Sequence, residues 1–195
     1  VSGSPFMEQV QAVYRSGSSG DSGQSIARYW DDNPFATIHQ GHFSLAVKKV
    51  PPGGHWMGIT AIALLNSKSD LPQAAAAYAL VSLSVFDGFI SCWDEKFRSV
   101  TSRPVTVIRK HIESEWNPLL QTPPFPEYVS GHSVASNASA VMLTVVFGND
   151  FAFDDDTEVE CGLPVRHFTS FKQAAAEAAI SRLYGGIHYM DAIEA

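Results

Sequence analysis

Three cationic side chains in separate parts of the sequence could together bind a tetrahedral oxyanion. They are Lys96, Arg103 and Arg182. A guanidinium group meets an oxyanion with a planar pair of N–H donors, whereas a lysine acts as a mobile point charge. The set therefore predicts a site for phosphate or a group of similar shape, with the arginines as its main clamp.

Two neutral donors and two histidines accompany these cations. Ser130 offers a hydroxyl, and Gly131 lets an anion approach its backbone N–H closely. His132, at the expected start of a helix, could give or take a proton because the unperturbed pKa of histidine is about 6.5. His188 could instead bond the central atom of the anion. This combination predicts phosphate-type chemistry.

Each motif taken alone has an ordinary structural explanation. Ser130 followed by glycine is a common helix N-cap, because serine and glycine are favoured there. Arg182 and His188 could simply flank the break at Gly185 and Gly186. It is the joint occurrence of the three motifs, in this order and spacing, that favours a functional site.

Together the motifs resemble those of the vanadium-dependent haloperoxidases and of the type 2 phosphatidic acid phosphatase superfamily that contains them. The family patterns K-x6-R-P, P-S-G-H and S-R-x5-H-x3-D correspond to residues 96–104, 129–132 and 181–188. The resemblance runs from about Trp56 to the end of the chain. It implies an oxyanion, vanadate, as cofactor, bound by Lys96, Arg103, Ser130, Gly131, Arg182 and His188.

The same resemblance implies a role for each catalytic residue. His132 would be the acid/base, Lys96 would polarise the bound oxidant, and His188 would bind vanadium or, in a phosphatase, attack phosphorus. Trp93 and Phe125 resemble the aromatic residues that line the halide pocket in haloperoxidases, although both could be ordinary packing residues. The motif spacing is most similar to that of the bacterial branch that includes the vanadium-dependent iodoperoxidases.

Two positions depart from the family patterns. Val129 stands where the family has proline, which removes no functional group. Ala192 stands where the family has an aspartate that helps to orient the last histidine. Either Asp191 takes over from a shifted backbone, or a different acceptor orients His188.

Three functions remain open on these grounds. The first is a vanadate-dependent peroxidase that oxidises iodide, or bromide, with hydrogen peroxide to hypohalite. The second is an acid phosphatase in which a histidine of the same pocket is the nucleophile. The third is a catalytically silent helical module that binds phosphate. The resemblance favours the first.

Composition fits a soluble enzyme with one substantial core. The chain has 195 residues, of which 45% are hydrophobic and 17% charged. A net charge of −7 and the lack of a basic patch argue against nucleic-acid binding. No secretory signal is recognised and the chain reads as a piece of a longer or processed protein. A periplasmic or secreted location is implied by the family resemblance alone.

Two further groups of residues have ordinary interpretations. Cys92 and Cys161 could form a disulfide, but we expect unpaired thiols. The acidic run at 154–160 does not have EF-hand spacing, so we expect a solvated loop rather than a calcium site. His55 is expected to be a structural or capping residue.

Helical patterns dominate, and the predicted fold is all-α, a helical bundle whose four-helix core holds the oxyanion site. The core helices are predicted at 56–67, 72–98, 133–147 and 168–182, and no strand pattern of comparable strength is found. Residues 1–25 are predicted to form a short helix and a flexible Gly/Ser loop at 16–25, ahead of a catalytic domain at 26–195. A further turn of helix is expected at 26–30. His188 is expected to begin a further helix.

The helix predicted at 72–98 is apolar enough to be mistaken for a membrane span. Ser82, Ser84 and Asp87 interrupt it, and there is only one such segment. A helix that is apolar all round is also what the centre of a bundle requires. We therefore expect no membrane insertion.

Overall fold

The protein is an all-α helical bundle with little sheet, as predicted. The computed structural model describes residues 3–17, 20–33, 37–40, 43–46 and 50–195. The helices are α1 (Pro5–Ser16), α2 (Gly20–Tyr29), α3 (Pro52–Asn66), α4 (Leu71–Ser99), α5 (Pro104–His111), α6 (Gly131–Phe147), α7 (Phe171–Tyr184) and α8 (Met190–Glu194). The strands are β1 (Thr37–Gln40), β2 (Phe43–Ala46), β3 (Phe153–Asp155) and β4 (Arg166–Phe168).

The four strands form short antiparallel pairs that the sequence did not reveal. β1 pairs with β2, and β3 pairs with β4. Each strand has only three or four residues. A segment of that length shows too few alternations between apolar and polar residues to be recognised as a strand.

The predicted flexible loop at 16–25 is wrong from Gly20 onward, because α2 begins there. Residues 18 and 19 lie outside the described part of the chain. Glycine and serine are poor helix formers, but α2 packs through Ala27 against Leu120 and Ile187. Tertiary packing of this kind supplies most of a short helix's stability and overrides its propensity.

The chain divides into two compact units, each built from several stretches of sequence. The first unit comprises Val1–Asp31, Gly88–Val134 and Ala176–Ala195, and the second comprises Asp32–Asp87 and Ala135–Ala175. The first holds every residue predicted for the oxyanion site. Of the four predicted core helices, α4, α6 and α7 contribute residues to that site, whereas α3 contributes none of those predicted.

A cluster of apolar side chains joins α1 and α5 in the first unit. Val10 and Val13 of α1 pack with Ile108 of α5 and with Tyr189, and all four are buried. Ser4 caps α1, its hydroxyl accepting a hydrogen bond from the Met7 backbone at 3.3 Å. This packing holds the N-terminal helix against the chain that follows His188.

The second unit has an aromatic core. Phe171, at the start of α7, stacks on Phe151 and Phe153 with ring centroids 5.2 and 5.3 Å apart. Phe153 also contacts Phe168 on the paired strand at 5.6 Å. These contacts attach the β3–β4 pair to α7.

One face of α4 is exposed, which corrects the reason given above for rejecting a membrane span. Leu83, Phe86 and Ile90 expose more than half of their surface. The stretch Leu71–His111 is long and apolar enough to cross a membrane by length and composition, with 22% of its most apolar window buried. The absence of membrane insertion therefore stays a prediction.

Candidate oxyanion site

The residues predicted to bind the oxyanion or to act in catalysis come from five places in the first unit. Lys96 lies on the last turns of α4, Arg103 is the N-cap of α5, and Arg182 lies near the end of α7. Ser130, Gly131 and His132 stand at the start of α6. His188 lies in the connection between α7 and α8 rather than at the start of a helix, which corrects the prediction.

A glycine turn returns the chain from α7 to the site. Gly186 has a φ of +76°, a conformation that glycine adopts without strain. A side chain on Gly185 would collide with Leu120, since its Cβ would lie 2.7 Å from Leu120 Cδ1. The Gly185 carbonyl also accepts a hydrogen bond from the Leu120 amide at 3.0 Å. This tight turn is what brings His188 back towards Arg103.

Lys96 is fully buried and held by main-chain carbonyls. Its Nζ donates to the carbonyls of Pro126 and Glu127, both at 3.0 Å. An ammonium group has three donors, so one remains for an oxyanion. Burial, followed by the charge of Arg103, lowers the pKa of Lys96 to about 8. The lysine is thus a fixed donor rather than a mobile surface charge.

Arg103 is also buried, and it bridges two loops. Its Nε donates to the Phe125 carbonyl at 2.9 Å, and its Nη1 donates to the Ile187 carbonyl at 2.8 Å. Nη1 also lies 3.1 Å from Nε2 of His188. Burial lowers the pKa of Arg103 to about 10, so the guanidinium is charged at neutral pH.

The tautomer of His188 follows from its two neighbours. Arginine can only donate, so Nε2 facing Arg103 carries a lone pair. Nδ1 lies 2.8 Å from Oε1 of Glu127 and donates its proton there. Burial, and then the charges of Arg103 and Lys96, hold the pKa of His188 well below its usual value. His188 is therefore neutral with an unprotonated Nε2, the form that can bind a metal or attack phosphorus.

Glu127 orients His188 in place of the missing aspartate. Oε1 of Glu127 also accepts from the Tyr189 amide at 3.0 Å. Asp191 is exposed and accepts a hydrogen bond from the side chain of Gln9 instead. The sequence left open whether Asp191 or another residue accepts the hydrogen bond that orients His188, and in the structure the acceptor is Glu127. A lone carboxylate in the proline-rich stretch before Ser130 is the signal that could have found it.

Ala192 serves the site through its backbone. Its carbonyl accepts a hydrogen bond from the Ser130 amide at 2.7 Å. The Ser130 hydroxyl caps α6 by accepting from the Ser133 amide at 3.3 Å. Gly131 lies against Trp93, since a Cβ built on it would be 3.5 Å from that ring. α6 therefore presents its N-terminal end, which favours anions, beside the aromatic residues.

Arg182 contacts His132, Ser181 and Trp30. Its Nη1 lies 3.3 Å from Nε2 of His132, and its Nε donates to the Ser181 hydroxyl at 3.0 Å. Its Nη2 donates to the carbonyl of Trp30. Because arginine only donates, Nε2 of His132 carries a lone pair in this arrangement.

Trp93 and Phe125 form an aromatic wall beside the buried cations. Their ring centroids are 5.2 Å apart. Lys96 Nζ lies 5.8 Å from the Trp93 centroid and 5.3 Å from that of Phe125, and the Arg103 guanidinium carbon lies 5.2 Å from the Phe125 centroid. These distances allow cation–π attraction, which strengthens where water is excluded.

A second buried polar cluster lies in the second unit. His55 is fully buried, with Nδ1 3.1 Å from Asp32 and Nε2 2.9 Å from Asp155. Burial acts to lower its pKa, but the hydrogen bonds to Asp155 and Asp32 outweigh burial and raise the pKa to about 10. His55 is thus buried between two carboxylates, and its structural or capping role stays a prediction. Asp155 and Glu158 are buried, so the predicted solvated loop is wrong at those two positions.

A metal ion is a poor match for this second cluster. One ligand atom each of Asp32, His55 and Glu158 lies within 4.8 Å of the others. Both ring nitrogens of His55 face carboxylates, however, and a protonated imidazole has no lone pair for a metal. Cys92 and Cys161 are both in the described part of the chain, and neither forms a disulfide, as expected.

Comparison with known proteins identifies the family. The profile of the VCPO second helical-bundle domain matches residues 76–195, which include all of the predicted site residues. The chain belongs to this family. No curated protein sequence is significantly similar to it.

Solved structures of the family's fold are similar over the whole chain. The crystal structure described as the first bacterial vanadium-dependent iodoperoxidase is 53% identical, with a TM-score of 0.91, and the match covers 100% of this chain and 46% of that one. Holo-type and apo-type structures of a bacterial vanadium-dependent chloroperoxidase are 21% and 19% identical, with TM-scores of 0.68 and 0.73. Each of these two matches covers 97% of this chain and 44% of the other. The chain thus spans just under half the length of the proteins it matches.

Proposed function

We propose that this chain forms the oxyanion site of a vanadate-dependent peroxidase that oxidises iodide with hydrogen peroxide. The observation that carries the proposal is the state of His188. Its Nε2 is unprotonated and faces Arg103, while its Nδ1 donates to Glu127. A neutral imidazole fixed in this tautomer is a ligand for vanadium, and the surrounding cations suit a negatively charged oxyanion.

Vanadate fits the donor set of the site. His188 would bind the vanadium, and its oxygens would meet Lys96, Arg103, Ser130, Gly131 and Arg182. When bound, vanadate supplies a Lewis acid that activates hydrogen peroxide without changing its own oxidation state. The two arginines are charged and held by carbonyls, so they need little reorganisation to bind the anion.

The acid/base role falls to His132. Nε2 of His132 carries a lone pair beside Arg182, 3.3 Å from Nη1. We assign to this atom the uptake of a proton from hydrogen peroxide, because its lone pair can accept one. Lys96 would donate to an oxygen of the bound oxidant with the N–H that the carbonyls of Pro126 and Glu127 leave unused.

The aromatic wall of Trp93 and Phe125 would form the halide side of the pocket. A large, polarisable anion such as iodide loses less hydration energy on leaving water than a smaller halide does, so an apolar wall favours it. The similarity to a bacterial iodoperoxidase supports iodide as the substrate. In the overall reaction iodide is oxidised to hypoiodite, and hydrogen peroxide is reduced as its O–O bond breaks.

A parallel assay on one preparation tests the proposal. The metal-stripped protein is given orthovanadate, and iodide oxidation by hydrogen peroxide and hydrolysis of a phosphomonoester are measured separately. We expect iodide oxidation that requires vanadate. Phosphomonoester hydrolysis that vanadate inhibits, without any iodide oxidation, would make the protein a phosphatase with the same residues in changed roles. Oxyanion binding without either reaction would make it a silent module.

A further inference from the structure

Trp30 is a buried residue outside the sequence motifs that nevertheless touches the site. It follows the last residue of α2 and has no exposed surface. Its main-chain carbonyl accepts a hydrogen bond from Nη2 of Arg182. Its indole Nε1 donates to Oε1 of Glu177 at 2.9 Å. Trp30 thus forms one hydrogen bond through its indole, to Glu177, and another through its carbonyl, to Arg182.

The two side chains that form these hydrogen bonds with Trp30 belong to the same helix. Glu177 and Arg182 lie on α7, a little more than one helical turn apart. The Trp30 amide donates to the Ile26 carbonyl at 3.2 Å, which continues the hydrogen-bond pattern of α2. The Trp30 carbonyl therefore points out of the C-terminal end of α2, where the helix dipole is negative and favours a guanidinium.

We propose that Trp30 and Glu177 are positioning residues that fix the guanidinium of Arg182 for oxyanion binding. The proposal rests on the oxyanion site proposed above and adds two residues to it. Glu177 anchors the indole, the anchored indole fixes the Trp30 carbonyl, and that carbonyl directs Nη2 of Arg182.

The position of Arg182 matters to two parts of the site. Nη1 of the same guanidinium lies 3.3 Å from Nε2 of His132. A rotation of the arginine side chain would therefore weaken its hydrogen bonds to the oxyanion and change its distance from His132.

The helix α2 positions Trp30, which follows its last residue. From Gly20 onward, α2 occupies the segment that composition predicts as a flexible Gly/Ser loop.

The test compares orthovanadate affinity among variants of the whole chain by isothermal titration calorimetry. Trp30→Phe keeps an aromatic ring but removes the indole donor, and Glu177→Ala removes the acceptor. Loss of this hydrogen bond should weaken binding about two- to ten-fold, less than loss of a bond made directly to a site residue, because it acts on Arg182 only through the Trp30 carbonyl. Glu177→Gln keeps an acceptor oxygen but not the charge, so its loss of affinity should be smaller than that of Glu177→Ala. If the Trp30–Glu177 bond carries the effect of both substitutions, the double variant Trp30→Phe/Glu177→Ala should bind no more weakly than the weaker of the two single variants.

A matched control separates positioning from general destabilisation. Trp56 is equally buried, and its Nε1 donates to the Ser136 hydroxyl at 3.0 Å. Trp56→Phe should lower the melting temperature but leave vanadate affinity unchanged. The proposal is overturned if Trp30→Phe binds as well as wild type, if Glu177→Gln is as weak as Glu177→Ala, or if Trp56→Phe loses as much affinity.

The same titrations distinguish failure of this proposal from failure of the proposed function. Phosphate serves as a second oxyanion in parallel titrations. Wild-type protein that binds vanadate without oxidising iodide would refute the peroxidase and leave the role of Trp30 measurable. Wild-type protein that binds neither oxyanion would overturn both the site and the positioning role.

Discussion

Replacing Glu127 should weaken oxyanion binding far more than replacing Asp191, although only Asp191 lies close to the position where the related motif has its aspartate. Oε1 of Glu127 accepts hydrogen bonds from Nδ1 of His188 at 2.8 Å and from the Tyr189 amide at 3.0 Å. Removing it should leave a buried imidazole N–H without its partner. Asp191 instead pairs with Gln9 at the surface.

The size of the effect follows from the type of hydrogen bond. Bonds to charged groups contribute about 1.5–3 kcal/mol, which corresponds to an affinity change of about 10- to 150-fold. Carboxylates that support metal-binding histidines change metal affinity by about 10- to 100-fold when removed. We therefore expect Glu127→Ala to weaken vanadate binding about 10- to 100-fold. Glu127→Gln keeps an acceptor but not the charge, so its loss should be smaller.

The assay is calorimetric titration of orthovanadate into the metal-stripped protein in phosphate-free buffer at pH 8. Burial raises the pKa of Glu127 to about 7, so its carboxylate is mostly ionised at that pH. Asp191→Asn is the control and should leave affinity unchanged, and thermal unfolding should show that every variant is folded. The reasoning is refuted if Glu127→Ala binds like wild type, or if Asp191→Asn loses as much affinity as Glu127→Ala.

Three further predictions address the buried cluster, the acid/base and the aromatic wall. His55→Asn should lower the melting temperature by about 10 °C, because breaking a buried ion pair costs about 3–5 kcal/mol. His167→Asn, which removes an exposed pair with Asp154 at 2.8 Å, should change it little. The pKa of His55 is raised from 6.5 to about 10, so the stability that its charge contributes is complete below pH 6.5 and disappears as pH rises through 10. Above that pH, the melting temperatures of wild type and His55→Asn should converge. His132→Ala should still bind vanadate but oxidise iodide about 100- to 10,000-fold more slowly, and an unchanged rate would exclude it as the acid/base. Phe125→Leu should weaken vanadate binding by the cation–π contribution of about 0.5–2 kcal/mol, measured by calorimetry, whereas Phe151→Leu in the second unit should not.

The long helices were predictable because each carries a strong periodic or apolar pattern. α4 and α6 were placed to within two residues at each end. Only the end of α2 was predicted, as a turn of helix at 26–30. Its earlier glycines and serines indicate a loop, and the contacts of Ala27 that stabilise it come from distant parts of the chain. The exposure of one face of α4 could not be predicted from the sequence, because an apolar helix has the same sequence pattern whether or not other parts of the protein pack against it.

Residue types and motif spacing predicted the cations, the donors and the two histidines, which the structure places in one compact unit. The residues that position them were not found, because a hydrogen-bond partner can come from any part of the chain. Glu127 lies 61 positions from His188, and Trp30 lies 152 positions from Arg182. Neither pair has a characteristic spacing, so only the fold could identify them.

The most direct test of the central claim is a titration of the metal-stripped protein with orthovanadate, with triiodide formation from iodide and hydrogen peroxide as the readout. We expect no rate without vanadate, a rise with added vanadate to a plateau at one vanadate per chain, and no such rise in His188→Ala. A rate that does not depend on vanadate, or that survives in His188→Ala, would contradict it. So would a wild-type protein that binds one vanadate per chain and forms no triiodide.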